Sequence, residues 1–301
     1  WIRERTGVKS RHISGDKETT ADMAVKAAEK ALENSGLLPD EIDLIIVSSV
    51  SSNLVLPSTA CFVQKAINAK NAFCFDINVA CTGFITAYNI SQTFINTGLI
   101  NTALVIGAES LSKITDWSDR KTCILFGDGA GAVVIKKDEN AMFETVMFSN
   151  GKNGDALTME NPFALRKTNL GKNHQGQFDI SFQDVHKTYI NMDGGEIFKF
   201  AVKKVPECIE ALLEKIHMDK SEIDKYLLHQ ANSRIIQSVA KRLKEPEEKF
   251  PMNLSLYGNT SAASIPILLD EMNRNGMLNR GDKLVLSGFG AGLTWGAVLL
   301  E

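Results

Sequence analysis

Asp40-Glu41-Ile42-Asp43 runs into the apolar Leu44-Ile45-Ile46-Val47, and the same pattern returns later as Ser221-Glu222-Ile223-Asp224 running into Lys225-Tyr226-Leu227-Leu228. Each copy follows an amphipathic helical pattern. The repeat extends further. Ala103-Leu104-Val105-Ile106-Gly107 with Gly129-Ala130-Gly131-Ala132-Val133-Val134-Ile135 is echoed by Lys283-Leu284-Val285-Leu286-Ser287 with Gly296-Ala297-Val298-Leu299-Leu300. Strands alternating with helices, repeated over this length, argue for two similar α/β halves stacked on one another. We expect an N-terminal half over residues 1–140 and a C-terminal half over 141–301. In this alignment Cys81 and Asn259 stand at equivalent helix starts, which puts a site at the interface near a pseudo-twofold axis.

Composition sets the class. The 301 residues are 44% hydrophobic and 23% charged, enough for a large core. No apolar run reaches the roughly 18 residues of a membrane span, and the start does not read as a signal peptide. A formal net charge of -3 leaves no nucleic-acid footprint. Five cysteines without regular spacing fit a reducing cytoplasm better than a disulfide scaffold. Cys61, Cys74, Cys123 and Cys208 fall in apolar patterns and read as filler.

Helix boundaries are legible in places. Thr19 or Thr20 suits the cap of a helix with a buried stripe of Ala24, Ala27, Ala28, Ala31 and Leu32, ended by Gly36. A second helix from about Glu196 to Lys215 contains Pro206, which is expected to kink or divide it. Residues 150–190 are polar, without a clear period, and read as a long connection bordering a binding site.

Cys81 lies in Asn78-Val79-Ala80-Cys81-Thr82-Gly83-Phe84, between the strand-like Phe73-Cys74-Phe75-Asp76-Ile77 and a helical pattern. That places its sulfur at a helix N-terminus, where unpaired N-H groups and the macrodipole favour a thiolate. His229 ends the strand Lys225-Tyr226-Leu227-Leu228 and precedes another helix. Asn259 sits in Tyr257-Gly258-Asn259-Thr260-Ser261-Ala262-Ala263-Ser264, again a turn feeding a helix. The glycine-rich Gly288-Phe289-Gly290-Ala291-Gly292-Leu293-Thr294-Trp295-Gly296 lets backbone approach a ligand and offers N-H groups for an oxyanion. Singly, each has a plainer reading: a buried cysteine, a satisfied histidine, an asparagine in a left-handed turn, an ordinary hairpin. All four at strand ends are a less accidental set.

Together, Val79-Ala80-Cys81-Thr82-Gly83-Phe84, Leu228-His229-Gln230-Ala231-Asn232, Gly258-Asn259-Thr260-Ser261-Ala262-Ala263-Ser264 and Phe289-Gly290-Ala291-Gly292-Leu293-Thr294-Trp295-Gly296 resemble the signatures of the β-ketoacyl-acyl-carrier-protein synthase III family. Arg5-Thr6-Gly7 and Phe126-Gly127-Asp128-Gly129-Ala130-Gly131-Ala132 add to the resemblance, which runs along nearly the whole chain. It implies an α/β thiolase-like fold, two pseudo-symmetric halves stacked in five α-β-α-β-α layers, with an earlier strand of the first half before Trp1. The 150–190 connection is longer than the family pattern, which leaves the primer open.

The resemblance implies a decarboxylative Claisen condensation of an acyl-CoA primer with malonyl-acyl-carrier-protein, needing no metal or redox cofactor. Cys81, His229 and Asn259 would be catalytic. The backbone N-H groups of Cys81 and Ala291 would form the oxyanion hole, Ala291 replacing the family's usual Gly. Trp1 and Arg120 would sandwich the adenine of coenzyme A, with Arg5 near its phosphates. Gly194, Asn232 and Phe198 would border the pantetheine tunnel, and Leu56 would reach across a homodimer into the partner's acyl pocket. Lys199, Lys203, Arg234, Lys241 and Arg242 are candidates for meeting an acidic carrier protein.

Other readings fit less well. A papain-like protease uses Cys, His and Asn in this order, but its cysteine signature is missing. Thiolases replace the Asn context with a second His context and add a cysteine, and hydroxymethylglutaryl-CoA synthase needs a catalytic acid that finds no place here. A decayed, non-catalytic homologue would have lost Cys81 or His229. The remaining alternative is a ketosynthase III homologue of secondary metabolism with a non-acetyl primer.

Overall fold

The computed structural model describes residues 1–139, 141–161, 168–172, 178–182 and 188–301. In chain order the first elements are α1 (Ile2–Thr6), α2 (Thr20–Ser35), β1 (Leu44–Ser48), α3 (Thr59–Ile67), β2 (Phe73–Ile77), α4 (Gly83–Asn96), β3 (Thr102–Ser110) and β4 (Asp128–Lys136). There follow β5 (Glu144–Ser149), β6 (Leu157–Thr158), β7 (Thr168–Lys172), β8 (Phe178–Phe182), β9 (Asn191–Met192) and α5 (Gly194–Lys215). The chain closes with β10 (Lys225–Leu228), α6 (Ser233–Leu243), α7 (Leu254–Tyr257), α8 (Ser264–Arg274), β11 (Leu284–Gly290) and β12 (Thr294–Leu300).

Two four-stranded sheets form the frame, ordered β2-β1-β3-β4 and β10-β11-β12-β5. The repeat read from the sequence is visible in their pairing. β1 lies parallel to β3 and β3 antiparallel to β4, as β10 lies parallel to β11 and β11 antiparallel to β12.

Period-two alternation along the strands builds the layers. Ile45 and Val47 of β1 face outward onto α2 and α3, joined by Leu104 and Ile106. Leu44 and Ile46 face the other way, into a central cluster with Phe84, Ile85, Leu268, Leu286 and Val298. The opposite face of the second sheet, with Tyr226, Leu228, Val285 and Leu299, packs against α5 and α6. Helices α4 and α8 therefore fill the middle of five layers, and β1, covered on both sides, is a continuous apolar run.

Thr19 caps α2 in a reciprocal box with Asp22, and Gly36 ends it in the left-handed region at φ 68°. Helix α5 differs from expectation, because it runs undivided through Pro206. The carbonyl that Pro206 leaves without a helical partner is that of Val202, and Arg242 Nη1 of α6 donates to it at 3.4 Å. A neighbouring side chain thus supplies the bond that proline removes.

The 150–190 connection also carries more structure than its sequence suggested. A 3-10 turn at Gly151–Ala156 leads to β6, which pairs with β9, while β7 and β8 form an antiparallel pair. Residues 162–167, 173–177 and 183–187 of this connection lie outside the described residues, as does residue 140 at the expected boundary between halves.

Candidate active site

The two halves register closely where β strands hand over to the central helices. Ala80 and Ser261 both adopt positive φ, 46° and 48°. Each opens a 3-10 turn, Ala80–Thr82 and Ser261–Ala263, followed directly by α4 at Gly83 and α8 at Ser264. The helix starts are equivalent, as expected. Residue by residue, however, Cys81 matches Ala262, and the counterpart of Asn259 is Asn78.

Cys81 is 8% exposed, pressed against the end of β11. A Cβ at Gly290 would fall 2.9 Å from Cys81 Cβ and 3.0 Å from its backbone N, so only glycine fits there. Hydroxyls tie this turn to the one bearing Ala291. Thr82 Oγ1 donates to Val79 O at 2.7 Å and lies 2.8 Å from Thr294 Oγ1, which donates to Ala291 O at 3.0 Å.

The helix start, which favours the thiolate, meets an opposing effect of burial. Burial pushes Cys81 from an ordinary value near 9.0 up to about 12; Ser261 pulls it back down and Glu109 adds to the rise. That rise is worth about 4 kcal/mol, whereas a helix end supplies at most about 2 kcal/mol. Burial wins, and the resting group is a thiol.

His229 follows β10 and is 1% exposed. Its ring meets Phe289 edge-on at 5.2 Å, and Nδ1 lies 2.7 Å from Ser264 Oγ. The backbone N-H of Gln230 also donates to that oxygen, at 3.4 Å, which leaves the Ser264 hydroxyl its proton to give to Nδ1 in the tautomer protonated on Nε2. With Nδ1 accepting from Ser264, the imidazole carries its own proton on Nε2. Burial lowers its pKa to about 3, keeping the ring neutral.

Asn259, 7% exposed, is held by backbone bonds to Leu125 O and from Gly127 N at 2.9 and 3.0 Å. Its Oδ1 accepts from Ser261 N at 2.9 Å, which leaves the amide Nδ2 as a free donor. Cys81 thus follows β2, His229 follows β10 and Asn259 follows α7, and the turns bearing them pack on the ends of β3 and β11 through Ala262 against Gly107 and Cys81 against Gly290. Sequence reasoning missed the residues that orient them: Ser264, Thr82 with Thr294, and Glu109 with Ser261. Ser264 and Ser261 lie inside a quoted motif, but nothing in their spacing assigned them a job.

The peripheral candidates separate into groups. Trp1, 64% exposed, carries the guanidinium of Arg5 at 5.5 Å and that of Arg120 at 5.8 Å from its ring. Gly194 opens α5 behind the cap Asp193, beside a depression lined by Lys121, Asp155 and Asn191. Phe198 lies one turn on, under Arg234 at 5.5 Å. Asn232 caps α6 through Oδ1 and donates from Nδ2 to Arg5 O at 3.1 Å, so its amide fixes α1 against α6. Lys203, Lys241, Arg234 and Arg242 are exposed on adjoining α5 and α6, with Lys199 paired to Glu196 at 2.8 Å. Leu56 is 83% exposed, beside Val55 at 68%, and so is not core. A groove of about 660 Å³ lies elsewhere, along β4, α2 and α8, and none of the three central residues lines it.

Comparison with known proteins agrees with this architecture. Residues 75–151 match the family of 3-oxoacyl-(acyl-carrier-protein) synthase III, and residues 213–301 match its C-terminal counterpart. The chain is 47% identical to the β-ketoacyl-(acyl-carrier-protein) synthase III of Clostridium acetobutylicum, covering 100% of this chain and 89% of that protein. The crystal structure of the synthase III of Aquifex aeolicus VF5 superposes with a TM-score of 0.88 at 42% identity, covering 100% of this chain and 90% of that one. The priming β-ketosynthase of the R1128 polyketide pathway gives 0.89 at 33% identity, with 100% and 86% covered. The repeated sheets, the strand-end site and these likenesses agree: the chain belongs to the β-ketoacyl-acyl-carrier-protein synthase III family.

Proposed function

We propose that Cys81 is the acyl-accepting nucleophile of this condensing enzyme and that His229 and Asn259 stabilise the enolate of its second substrate. The enzyme is an acyltransferase that joins an acyl-CoA primer to malonyl-acyl-carrier-protein with loss of carbon dioxide, beginning fatty acid synthesis. A specialised ketosynthase with a non-acetyl primer is not favoured, because the relatives at 47% identity are the fatty-acid enzymes.

What supports the proposal is that two buried side chains each keep one donor uncommitted. His229 Nε2-H and Asn259 Nδ2 are the atoms their other bonds leave free. Cys81 Sγ attacks the primer thioester, and the N-H groups of Cys81 and Ala291 receive the developing oxyanion. Carbon dioxide then leaves the malonyl thioester, and the two side-chain donors hold the enolate oxygen as charge builds there. Each such donor is worth about 3 to 4 kcal/mol of barrier. The enolate carbon attacks the acyl-Cys81 carbonyl and releases the 3-oxoacyl product. Asn259→Ala should therefore keep primer loading and lose carbon dioxide release from malonyl-carrier-protein; equal release by variant and wild type would remove Asn259 from the mechanism.

The surroundings follow from the same reading. Residues 1–140 form the half carrying the cysteine and 141–301 the half carrying His229 and Asn259. Coenzyme A enters past Trp1, Arg5 and Arg120, its pantetheine passing Gly194, Phe198 and Asn232. Acyl carrier protein meets Lys199, Lys203, Arg234, Lys241 and Arg242. Two chains associate through the segment bearing Leu56, and the enzyme works in the cytoplasm; among the described residues no helix is long and apolar enough to cross a membrane.

A further inference from the structure

Loading an acyl group onto Cys81 requires the thiol to lose its proton, and the enolate-binding pair is poorly suited to take it. Asn259 has no basic atom. His229 is held neutral by burial and spends Nδ1 on Ser264, so it is a weak base.

Another group faces the thiol. Glu109, at the end of β3, is fully buried, and no ion pair to it is present among the described residues. It accepts from Val50 N at 3.1 Å, from Ser49 Oγ at 3.3 Å and from Ser51 Oγ, all in the loop after β1. Ser261 opens the turn whose next carbonyl, Ala262 O, packs on Gly107, two residues before Glu109 on β3, and its hydroxyl lowers the pKa of both Glu109 and Cys81. This hydroxyl is buried without a partner at full hydrogen-bond geometry, on a residue 3% exposed and at φ 48°. A left-handed backbone on a non-glycine residue is strained, and a buried hydroxyl without a hydrogen bond is destabilising as well. Both costs fall on the one residue between a thiol and a carboxyl. The turn of Ser261 is in tight contact with β3 and with the start of α4: a Cβ at Gly107 would lie 2.2 Å from Ala262 O, and one at Gly83 would lie 3.4 Å from Ala262 Cβ.

We propose that Ser261 and Glu109 are the proton path for loading and unloading Cys81, an inference that rests on Cys81 being the acyl acceptor. The Sγ proton passes to Ser261 Oγ as the Ser261 proton passes to a Glu109 oxygen, and Sγ attacks the thioester carbonyl. The carbon-sulfur bond to coenzyme A breaks, and the departing thiolate keeps the electron pair and takes a proton from solvent. Glu109 stays protonated while Cys81 is acylated. When the enolate displaces Cys81, its thiolate recovers that proton along the same path, so each turnover consumes one solvent proton.

Facing Glu109 are Ser49 and Ser51 of the loop, Gly129 across on β4, Ser261 and Cys81; of these only Cys81 titrates. Burial pushes the Glu109 carboxyl up to about 7, so its capacity to accept a proton changes near neutrality.

The test is single-turnover loading of acetyl-coenzyme A, followed by intact mass from about pH 5 to about pH 9. The wild-type rate should rise through an inflection near pH 7. Glu109→Gln keeps an oxygen for Val50 and Ser51 but takes no proton; it should load about a hundredfold more slowly, without that inflection, and still form the adduct at Cys81. Ser261→Ala leaves the Glu109 bonds to the loop intact and should behave alike, so it decides the matter if the Gln variant does not fold. Wild-type rates and a wild-type inflection in the folded variants would overturn the proton path. Absence of any adduct on wild-type Cys81 would instead overturn the underlying assignment of the nucleophile.

Discussion

Ser264 Oγ, on the first residue of α8, lies 2.7 Å from His229 Nδ1 after β10, and its hydroxyl proton, given to that nitrogen, holds the histidine's own proton on Nε2. With Nδ1 accepting, Nε2-H is the donor offered to substrate. Ser264→Ala removes that control and lets the other tautomer form. Carbon dioxide release from malonyl-carrier-protein should fall about tenfold, equivalent to roughly 1.4 kcal/mol of barrier, while primer loading changes little. A radiometric release assay on both proteins checks this, and unchanged release would mean Ser264 is only packing.

Gly290→Ala tests how closely the backbone must approach the nucleophile. The added methyl would lie 2.9 Å from Cys81 Cβ and 3.0 Å from its N, displacing the turn whose N-H is proposed to receive the oxyanion. Loading should drop about a hundredfold, measured as the rate of acyl-adduct formation. Loading at the wild-type rate would show that the turn yields without loss of function.

Buried Glu109 and His229 give opposite pH dependences of stability. Burial raises Glu109 from 4.5 to about 7, so the folded chain holds that proton more tightly; its contribution is full below pH 4.5 and lost as pH rises toward 7. Burial lowers His229 from 6.5 to about 3, so the unfolded chain takes that proton first and stability is lost as pH falls from 6.5 toward 3. Between 4.5 and 6.5 the two slopes oppose. Glu109→Gln deletes one of them, and relative to wild type it should gain roughly 3 kcal/mol between about pH 4 and about pH 8. Denaturant unfolding at both pH values reads this directly; an equal difference at the two would mean Glu109 titrates as an ordinary carboxyl.

The exposed Leu54-Val55-Leu56 segment, at 46%, 68% and 83%, is a patch that association would cover. Light scattering should give twice the mass of the 33.0 kDa chain. Leu56→Trp should narrow the range of primers loaded onto Cys81. A fully active monomer, or an unchanged primer range, would remove the basis for a shared pocket.

What the sequence made legible was local. Short continuous apolar runs gave the strands, Thr19 and Gly36 marked α2, and the repeated Glu-Ile-Asp before each strand gave the two halves. Cys81, His229 and Asn259 stood out because each occupies a short motif between strand and helix. Glu109 did not. A carboxylate in a strand becomes a buried, raised-pKa group only because Ser49, Val50 and Ser51 fold over it from some 58 to 60 positions away. Likewise Pro206 reads as a helix breaker until Arg242 of a later helix is seen bonding Val202 O. The opposing effect on the Cys81 thiol was out of view for a related reason: helix position is local, whereas burial of Cys81 by β11 is not.

The most direct test of the central claim is intact-mass analysis of the protein after incubation with a panel of acyl-coenzyme A thioesters, followed by peptide mapping. One acyl group per chain should appear on the peptide carrying Cys81, and Cys81→Ala should show none and form no 3-oxoacyl product. An adduct of equal stoichiometry and rate on Cys81→Ala, or one mapped to Cys61, Cys74, Cys123 or Cys208, would contradict the account.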